Sequence, residues 1–238
     1  MKTRIPGGEW ELECSADQFA VLRTDKEFAF VLTLARVVNA LKFGVEAYGG
    51  AQSMSPMDER HRVGAFMYLS AVLHEVLELK KSAEKEWGDL PFFKQVFAAF
   101  DENILDKKTG ELLNKIRNRA AFHFDPTVAA RTLPRLPAEP FVFITAIGRN
   151  RMNSNYELAD IITFGFVFDA PADVDSLSKR LSEFRPRLDT LLRDFIKAVD
   201  DLVLQRLLAK GLRIVERPSG YFKSEREPDE QAPGDRAI

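Results

Sequence analysis

The stretch that decides the fold is residues 55–87, which read SPMDERHRVGAFMYLSAVLHEVLELKKSAEKEW. Apolar side chains recur along its middle at spacings of three and four, which is the periodicity of an α-helix with one buried stripe and a polar back. Ser55 is suited to cap this helix and Pro56 to occupy its first position, while Gly88 is suited to end it. The pattern therefore predicts one long helix over this stretch.

The same reasoning predicts further helices on both sides of this one. We expect them over residues 25–48, 91–100, 109–125 and 173–210, with Pro186 kinking or splitting the last. The apolar residues of the first of these helices cover more than one of its faces, which favours a place near the middle of the bundle. The predicted fold class is mainly α, an up-down helical bundle.

Residues 134–168 have a different character. Pro134 and two further prolines break the chain into extended segments, and residues 141–147, FVFITAI, are rich in β-forming residues and predict a strand. Residues 156–168 are largely apolar, and their pattern fits a returning strand, a helix, or a strand that becomes a helix. We expect a small β-hairpin-like insertion here.

The ends of the chain lack this periodicity. Residues 1–24 predict an irregular lead-in, because proline and glycine cluster near their start. Residues 216–238 are mostly charged and predict a mobile tail. The helical bundle is expected between them, over residues 25–215.

Composition excludes several classes of protein. The 238 residues carry a formal net charge of −2, so no basic excess indicates a nucleic-acid surface. Cys14 is the only cysteine, which excludes an intrachain disulfide and a cysteine-based zinc site and fits a reducing compartment. Since we find neither an apolar signal core in residues 1–12 nor an apolar run long enough to span a membrane, we expect a cytoplasmic protein.

The strongest local signal is residues 116–125, IRNRAAFHFD, near the end of a predicted helix. Arg117 is followed directly by Asn118, and five residues separate Arg117 from His123. This arrangement resembles the HEPN superfamily (higher eukaryotes and prokaryotes nucleotide-binding), whose motif is an Arg followed a few residues later by a His at a helix end in a helical bundle. The resemblance covers the motif and the helical layout, but not the predicted insertion.

The resemblance implies a metal-independent endoribonuclease of the defence or toxin–antitoxin type, without a cofactor. It also implies a homodimer in which two motifs form one composite cleft, and it includes members that bind nucleotides or act as non-catalytic partners of other proteins.

The chemistry of these side chains suits RNA cleavage. His123 titrates near neutrality and can take a proton from the 2′-hydroxyl or give one to the leaving oxygen. Arg117 offers a permanent positive charge to the transition state, and Asn118 can position the phosphate. Asp125 can hold the imidazole in one tautomer, and Arg119 is a further candidate for binding substrate.

Helix geometry leaves two arginines open as the partner of His123. In a regular α-helix, positions four apart share a face, so Arg119 lies beside His123. Arg117 points elsewhere unless the last turn is distorted or a second subunit completes the site. The motif favours Arg117 and helix periodicity favours Arg119.

Two other groups of polar residues are weaker signals. His74 and Glu78 lie four apart in the predicted helix, a spacing more typical of a solvated helix face than of a metal site. Arg60 and Arg62 flank His61 and form a small basic patch that can contact phosphate. No metal site is predicted, and the rival interpretation of the whole chain is a non-catalytic helical scaffold that binds another protein.

Overall fold

The computed structural model describes residues 10–50, 56–101, 105–121, 126–136, 157–169 and 174–216. Within these ranges the protein is mainly α-helical, with one small antiparallel sheet, which confirms the predicted fold class. The strands are β1 (Trp10–Glu13) and β2 (Arg213–Glu216). The helices are α1 (Ala16–Leu22), α2 (Lys26–Gly50), α3 (Pro56–Trp87), α4 (Pro91–Val96), α5 (Lys107–Ile116), α6 (Pro126–Thr132), α7 (Glu157–Phe168) and α8 (Val174–Ala209).

The chain divides into two compact units, the first made of residues 1–29 and 204–238 and the second of Phe30–Val203. In the first unit β1 pairs with β2 in antiparallel register, Trp10 opposite Glu216 and Glu13 opposite Arg213. The prediction of an irregular lead-in is wrong over β1 and α1. A strand of four residues is too short to show a periodic pattern in the sequence. The strand that accepts and donates its backbone hydrogen bonds lies about two hundred residues away along the chain.

Side chains and caps fix the geometry of this first unit. Ser15 and Gln18 form a capping box at the start of α1, and the Gln18 side chain donates a hydrogen bond of 2.9 Å to the carbonyl of Gly211. Gly211 has a φ of +89°, a conformation that glycine adopts without strain, and it ends the last helix as predicted. Lys210 pairs with Asp25 and holds the pKa of that carboxyl below its usual range.

The core of the second unit is built largely from phenylalanine. Phe97, Phe100 and Phe195 are buried completely or almost so, and the rings of Phe97 and Phe100 both contact that of Phe195, at centroid distances of 6.0 and 5.2 Å. Burying such a ring contributes about 1.5–3 kcal/mol. The phenylalanines of this core therefore serve as packing material, as the composition suggested.

The central helix of this unit is α3 rather than α2. Residues 65–74 of α3 are buried on nearly every side, whereas Leu32 and Val45 of α2 are exposed. The expected place of α2 near the middle of the bundle is therefore wrong, because its buried residues lie on one face. The two helices approach closely at Gly44, where a Cβ atom would lie 2.6 Å from Cδ2 of Leu69.

Residues 134–168 differ from the expected hairpin wherever the structure describes them. Leu133–Arg135 forms a 3-10 turn after α6, so Pro134 is not in an extended segment. Of the three patterns that fit residues 156–168, the helix is correct over Glu157–Phe168. The predicted strand at 141–147 lies outside the described residues, as does the tail beyond Glu216.

The bounds of α3 match the prediction at both ends, and α8 continues through Pro186 without a break. Among the described helices, α2 has the length and composition to cross a membrane, with a mean hydropathy of 1.6 over its most apolar window. Buried core helices and signal sequences pass the same test, and 39% of this window is buried within the protein, including Val31, Leu34 and Leu41.

Candidate functional site

The candidate site lies where α5 stops being a regular helix. Asp106 caps α5 by accepting a hydrogen bond of 2.9 Å from the backbone N–H of Thr109, and Leu113 and Ile116 are completely buried. From Arg117 to Ala121 the chain forms a π turn, in which backbone hydrogen bonds join residues five apart. None of these five residues is fully buried, although the turn packs against α3 and α7. The predicted helix is thus irregular over Arg117–Ala121, and its last residues, 122–125, lie outside the described part of the chain.

Arg117 is oriented by a carboxylate on the neighbouring helix. Its Nε donates a hydrogen bond of 2.7 Å to Oε1 of Glu75, and one terminal nitrogen donates a bond of 2.6 Å to Oδ1 of Asn118. The side chains of Arg117 and Glu75 are 31% and 47% exposed, so this ion pair adds at most about 1 kcal/mol to stability. Its main consequence is therefore geometric: it fixes the direction of the guanidinium.

Asn118 is held from the other side. Its side-chain amide donates a hydrogen bond to Oδ1 of Asn114, one α-helical turn earlier. Glu75, Arg117, Asn118 and Asn114 thus form a continuous chain of hydrogen bonds, which we call the Arg117 cluster. The chain settles the two amide orientations, because the Asn118 oxygen accepts while its nitrogen donates.

His74 lies next to this cluster in sequence. Its Nε2 is 4.0 Å from Oε1 of Glu78, and its buried Nδ1 has no hydrogen-bond partner within the described parts of the chain. Burial lowers the pKa of the imidazole, and this outweighs the opposite effect of Glu78 and Glu75; Arg117 lowers the pKa as well. His74 is therefore neutral at pH 7.

His74 and Asn114 also line an open cavity of about 850 Å³ between α3 and α5. Lysine and carboxylate side chains alternate around this cavity, among them Lys81 and Glu111. The mixed charge gives it no preference for an anion or a cation.

Arg119 serves a different surface from Arg117. It is exposed and lines a second cavity of about 700 Å³, together with Arg60, Tyr68 and Asp160. Two arginines only two residues apart are therefore directed to different neighbours, one to a carboxylate on α3 and the other to a mostly apolar cavity.

The structure describes only some of the predicted site residues. Arg117 and Asn118 are in direct contact, and Arg119 lies elsewhere, while His123 and Asp125 fall outside the described residues. Sequence reasoning missed Asn114 and the role of Glu75. The spacing of four between Asn114 and Asn118 was a usable signal, but nothing local connects Glu75 with Arg117, since the contact is between helices.

Within the described ranges no group of three or more His, Cys, Asp and Glu side chains is placed to hold a metal ion. Comparison with protein-family models, with characterised proteins and with solved structures found no match for this chain.

Proposed function

We propose that this protein is a HEPN-like helical domain that binds RNA or nucleotide phosphate through Arg117, Asn118 and His123. The observation that carries the proposal is the orientation of Arg117 and Asn118 on a π turn directly before the sequence position of His123. Single π turns in helices are frequent at functional sites. The resemblance to the superfamily motif and this local distortion of the helix support the proposal independently of each other.

The contacts of Arg117 leave it able to bind an anion. A guanidinium carries five N–H donors, and the bonds to Glu75 and Asn118 use two of them. A phosphate oxygen can accept from the remaining donors of a side chain whose direction is already fixed. Because the side chain is already ordered, it loses less conformational entropy when a ligand binds.

The π register also bears on the choice between the two arginines. In a regular α-helix the neighbour of a residue lies four positions earlier, which favours Arg119 as the partner of His123, but the chain is not a regular α-helix over Arg117–Ala121. Under the proposal, the imidazole of His123 works with Asn118 and Arg117 rather than with Arg119. The geometric objection to Arg117 applies only to a regular helix.

In its sharpest form the proposed activity is metal-independent RNA cleavage. The 2′-oxygen forms a new bond to phosphorus while the bond from phosphorus to the 5′-oxygen breaks. One proton leaves the 2′-hydroxyl and one reaches the 5′-oxygen, and His123 supplies one of these transfers. The products are a 2′,3′-cyclic phosphate and a 5′-hydroxyl, and Arg117 stabilises the charge that gathers on the phosphate oxygens.

Two features oppose tight binding of RNA. Glu75 brings a negative charge to the site, and the whole chain has a formal net charge of −2. Affinity for RNA depends strongly on phosphate contacts and falls with salt. We therefore propose a homodimer, in which two Arg117 clusters contribute to one cleft, and weak, salt-sensitive binding by each.

The test compares wild type with His123→Ala on short labelled RNA in the presence of EDTA. We expect wild type to produce cyclic phosphate ends, His123→Ala to be slower by about 10²-fold or more, and a 2′-deoxy residue at the cleavage position to block the reaction. Circular dichroism and thermal unfolding establish that the variant is folded. Cleavage that needs a divalent ion, or that survives the histidine change, contradicts the proposal.

A non-catalytic interaction module is the second candidate. Leu32 and Phe43 are 49% and 63% exposed, and their separation of eleven residues, three helical turns, places them on one face of α2. Such residues are typical of a surface that another protein covers. This function predicts that wild type neither cleaves nor binds RNA, and that Leu32→Ser lowers the mass of the assembly measured by light scattering.

A further inference from the structure

A groove follows the N-terminal half of α3. It consists of the 700 Å³ cavity that Arg119 lines and a second cavity of about 510 Å³ on the side of α2. The two cavities share Arg60, Gly64 and Tyr68 as lining residues, so they adjoin each other along α3. We call this surface the α3 groove; at one end it reaches the π turn that carries the Arg117 cluster.

An aromatic pair stands at the α2 end of the groove. The rings of Phe43 and Tyr68 meet edge to face, at 84° and a centroid distance of 5.8 Å. Phe43 nevertheless remains 63% exposed, so most of this large apolar ring is in contact with water. An exposed ring beside a groove is the feature on which single-stranded nucleic acids stack their bases.

Cationic side chains line the same groove from two separate parts of the chain. Arg60 belongs to the basic patch of α3, and Arg119 to the π turn. Asp160 is the one carboxylate among the described lining residues. The described lining side chains thus carry more formal positive than negative charge in a chain whose net charge is −2, which favours an anionic occupant.

The floor of the groove at Gly64 is open. Gly64 lies inside α3, where alanine would be the better helix former, and a Cβ atom built on it meets nothing within 4 Å. Packing therefore does not require a glycine here. A methyl group at this position meets no protein atom, and a larger side chain extends from there into the groove.

We propose that the α3 groove binds an unpaired stretch of RNA, with a base against Phe43 and Tyr68 and backbone phosphates at Arg60 and Arg119. An apolar surface beside arginines matches a nucleotide, which combines a flat ring with an anion. The inference rests on the proposed function and adds a second surface at the π turn that contacts the strand. It also gives Arg119 a role in binding rather than in the reaction.

The experiment measures the affinity of a short fluorescent RNA by anisotropy, for Gly64→Trp and for Gly64→Ala as its matched control. We expect the tryptophan to weaken binding roughly tenfold by filling the groove, and the alanine, which adds a single methyl group, to weaken it far less. Phe43→Ala is the second variant, because a residue so exposed can be changed without unfolding the protein. It should weaken binding of normal RNA and leave binding of an abasic strand as it was.

Each outcome has a distinct meaning. If Arg117→Ala weakens binding while Gly64→Trp and Phe43→Ala bind as wild type does, the groove proposal fails and the proposed function stands. If wild type binds no RNA, both fail. If adenosine monophosphate binds as tightly as the oligonucleotide, or if Phe43→Ala changes only the mass of the assembly, the groove takes a free nucleotide or a second protein and the proposal is overturned.

Discussion

The ten residues of α5 and the five that follow them behave in opposite ways. α5 begins at a capped residue, buries Leu113 and Ile116 completely and keeps a regular α-helical register. The π turn buries no residue fully, abandons that register and places its polar side chains in contact with one another. Side chains are completely buried where the register is α-helical, and they are only partly buried where it is that of a π-helix. Such local departures from regularity are expected at functional sites.

The largest difference between the two segments should appear in stability. Leu113→Ala removes a side chain with no exposed surface and should lower the free energy of unfolding by about 2–5 kcal/mol. Urea unfolding followed by circular dichroism measures this change. Leu112→Ala is the control, since Leu112 is only half-buried and should have a smaller effect. Equal losses at the two positions would show that α5 does not pack as described.

The second prediction concerns the orientation of Arg117. Glu75→Ala removes the acceptor at 2.7 Å and should slow RNA cleavage by roughly tenfold, because misplaced catalytic groups lose rate steeply. Glu75→Gln keeps an acceptor and removes the charge, so it should retain more activity and bind RNA more tightly. Single-turnover cleavage and anisotropy measure the two effects.

A double variant controls this prediction. If Glu75 acts through Arg117, Glu75→Ala should cause no further loss when Arg117 is already alanine. Independent, additive losses would mean that Glu75 has a role of its own and does not position the arginine.

A smaller effect is expected at the start of α5. Asp106→Ala removes the N-cap and should cost about 1 kcal/mol of stability. Asp106→Asn retains a capping oxygen and loses only the ion pair with Arg187, so it should be nearly neutral. Thermal unfolding separates the two variants, and an asparagine as damaging as alanine would show that the ion pair outweighs the cap.

The smallest effect should be a dependence of stability on pH from His74. Burial holds the pKa of His74 below its ordinary value of about 6.5, so the unfolded chain takes up the proton first as the pH falls. This contribution to stability is complete above pH 6.5 and is lost as the pH drops towards the lowered pKa. Glu78 and Glu75 limit the loss, because they favour the charged imidazole, while Arg117 and Lys81 increase it.

Unfolding in urea between pH 5 and pH 8 measures this contribution as the difference between wild type and His74→Gln. The variant should lose less stability than wild type on acidification. Parallel curves for the two proteins would mean that His74 has the same pKa in the folded and unfolded chain.

The ends of several helices were predictable from capping residues, prolines and glycines in the sequence. The bounds of α3 were predictable because Ser55 precedes it, Pro56 is its first residue and Gly88 follows it. The pairing of β1 with β2 was not, since each strand has only four residues and the partner is remote. α7 was ambiguous because its buried residues occupy most of its circumference, which hides the helical period.

The candidate site was predictable in composition but not in geometry. Spacing singled out Arg117 and Asn118, yet no periodicity in the sequence reveals that the register changes to that of a π-helix. The contact with Glu75 depends on the packing of α5 against α3, and two distant segments meet there. The basic patch at Arg60 and the motif residue Arg119 are also far apart in sequence, and only the fold brings them to one cavity.

The account is tested most directly by the rate at which wild type and Arg117→Ala cleave a short RNA in EDTA. Arg193→Ala, an exposed arginine paired with its neighbour Asp194, serves as the matched control. We expect Arg117→Ala to be about 10²-fold slower at unchanged thermal stability, and Arg193→Ala to match wild type. Equal rates for Arg117→Ala and wild type would contradict the account.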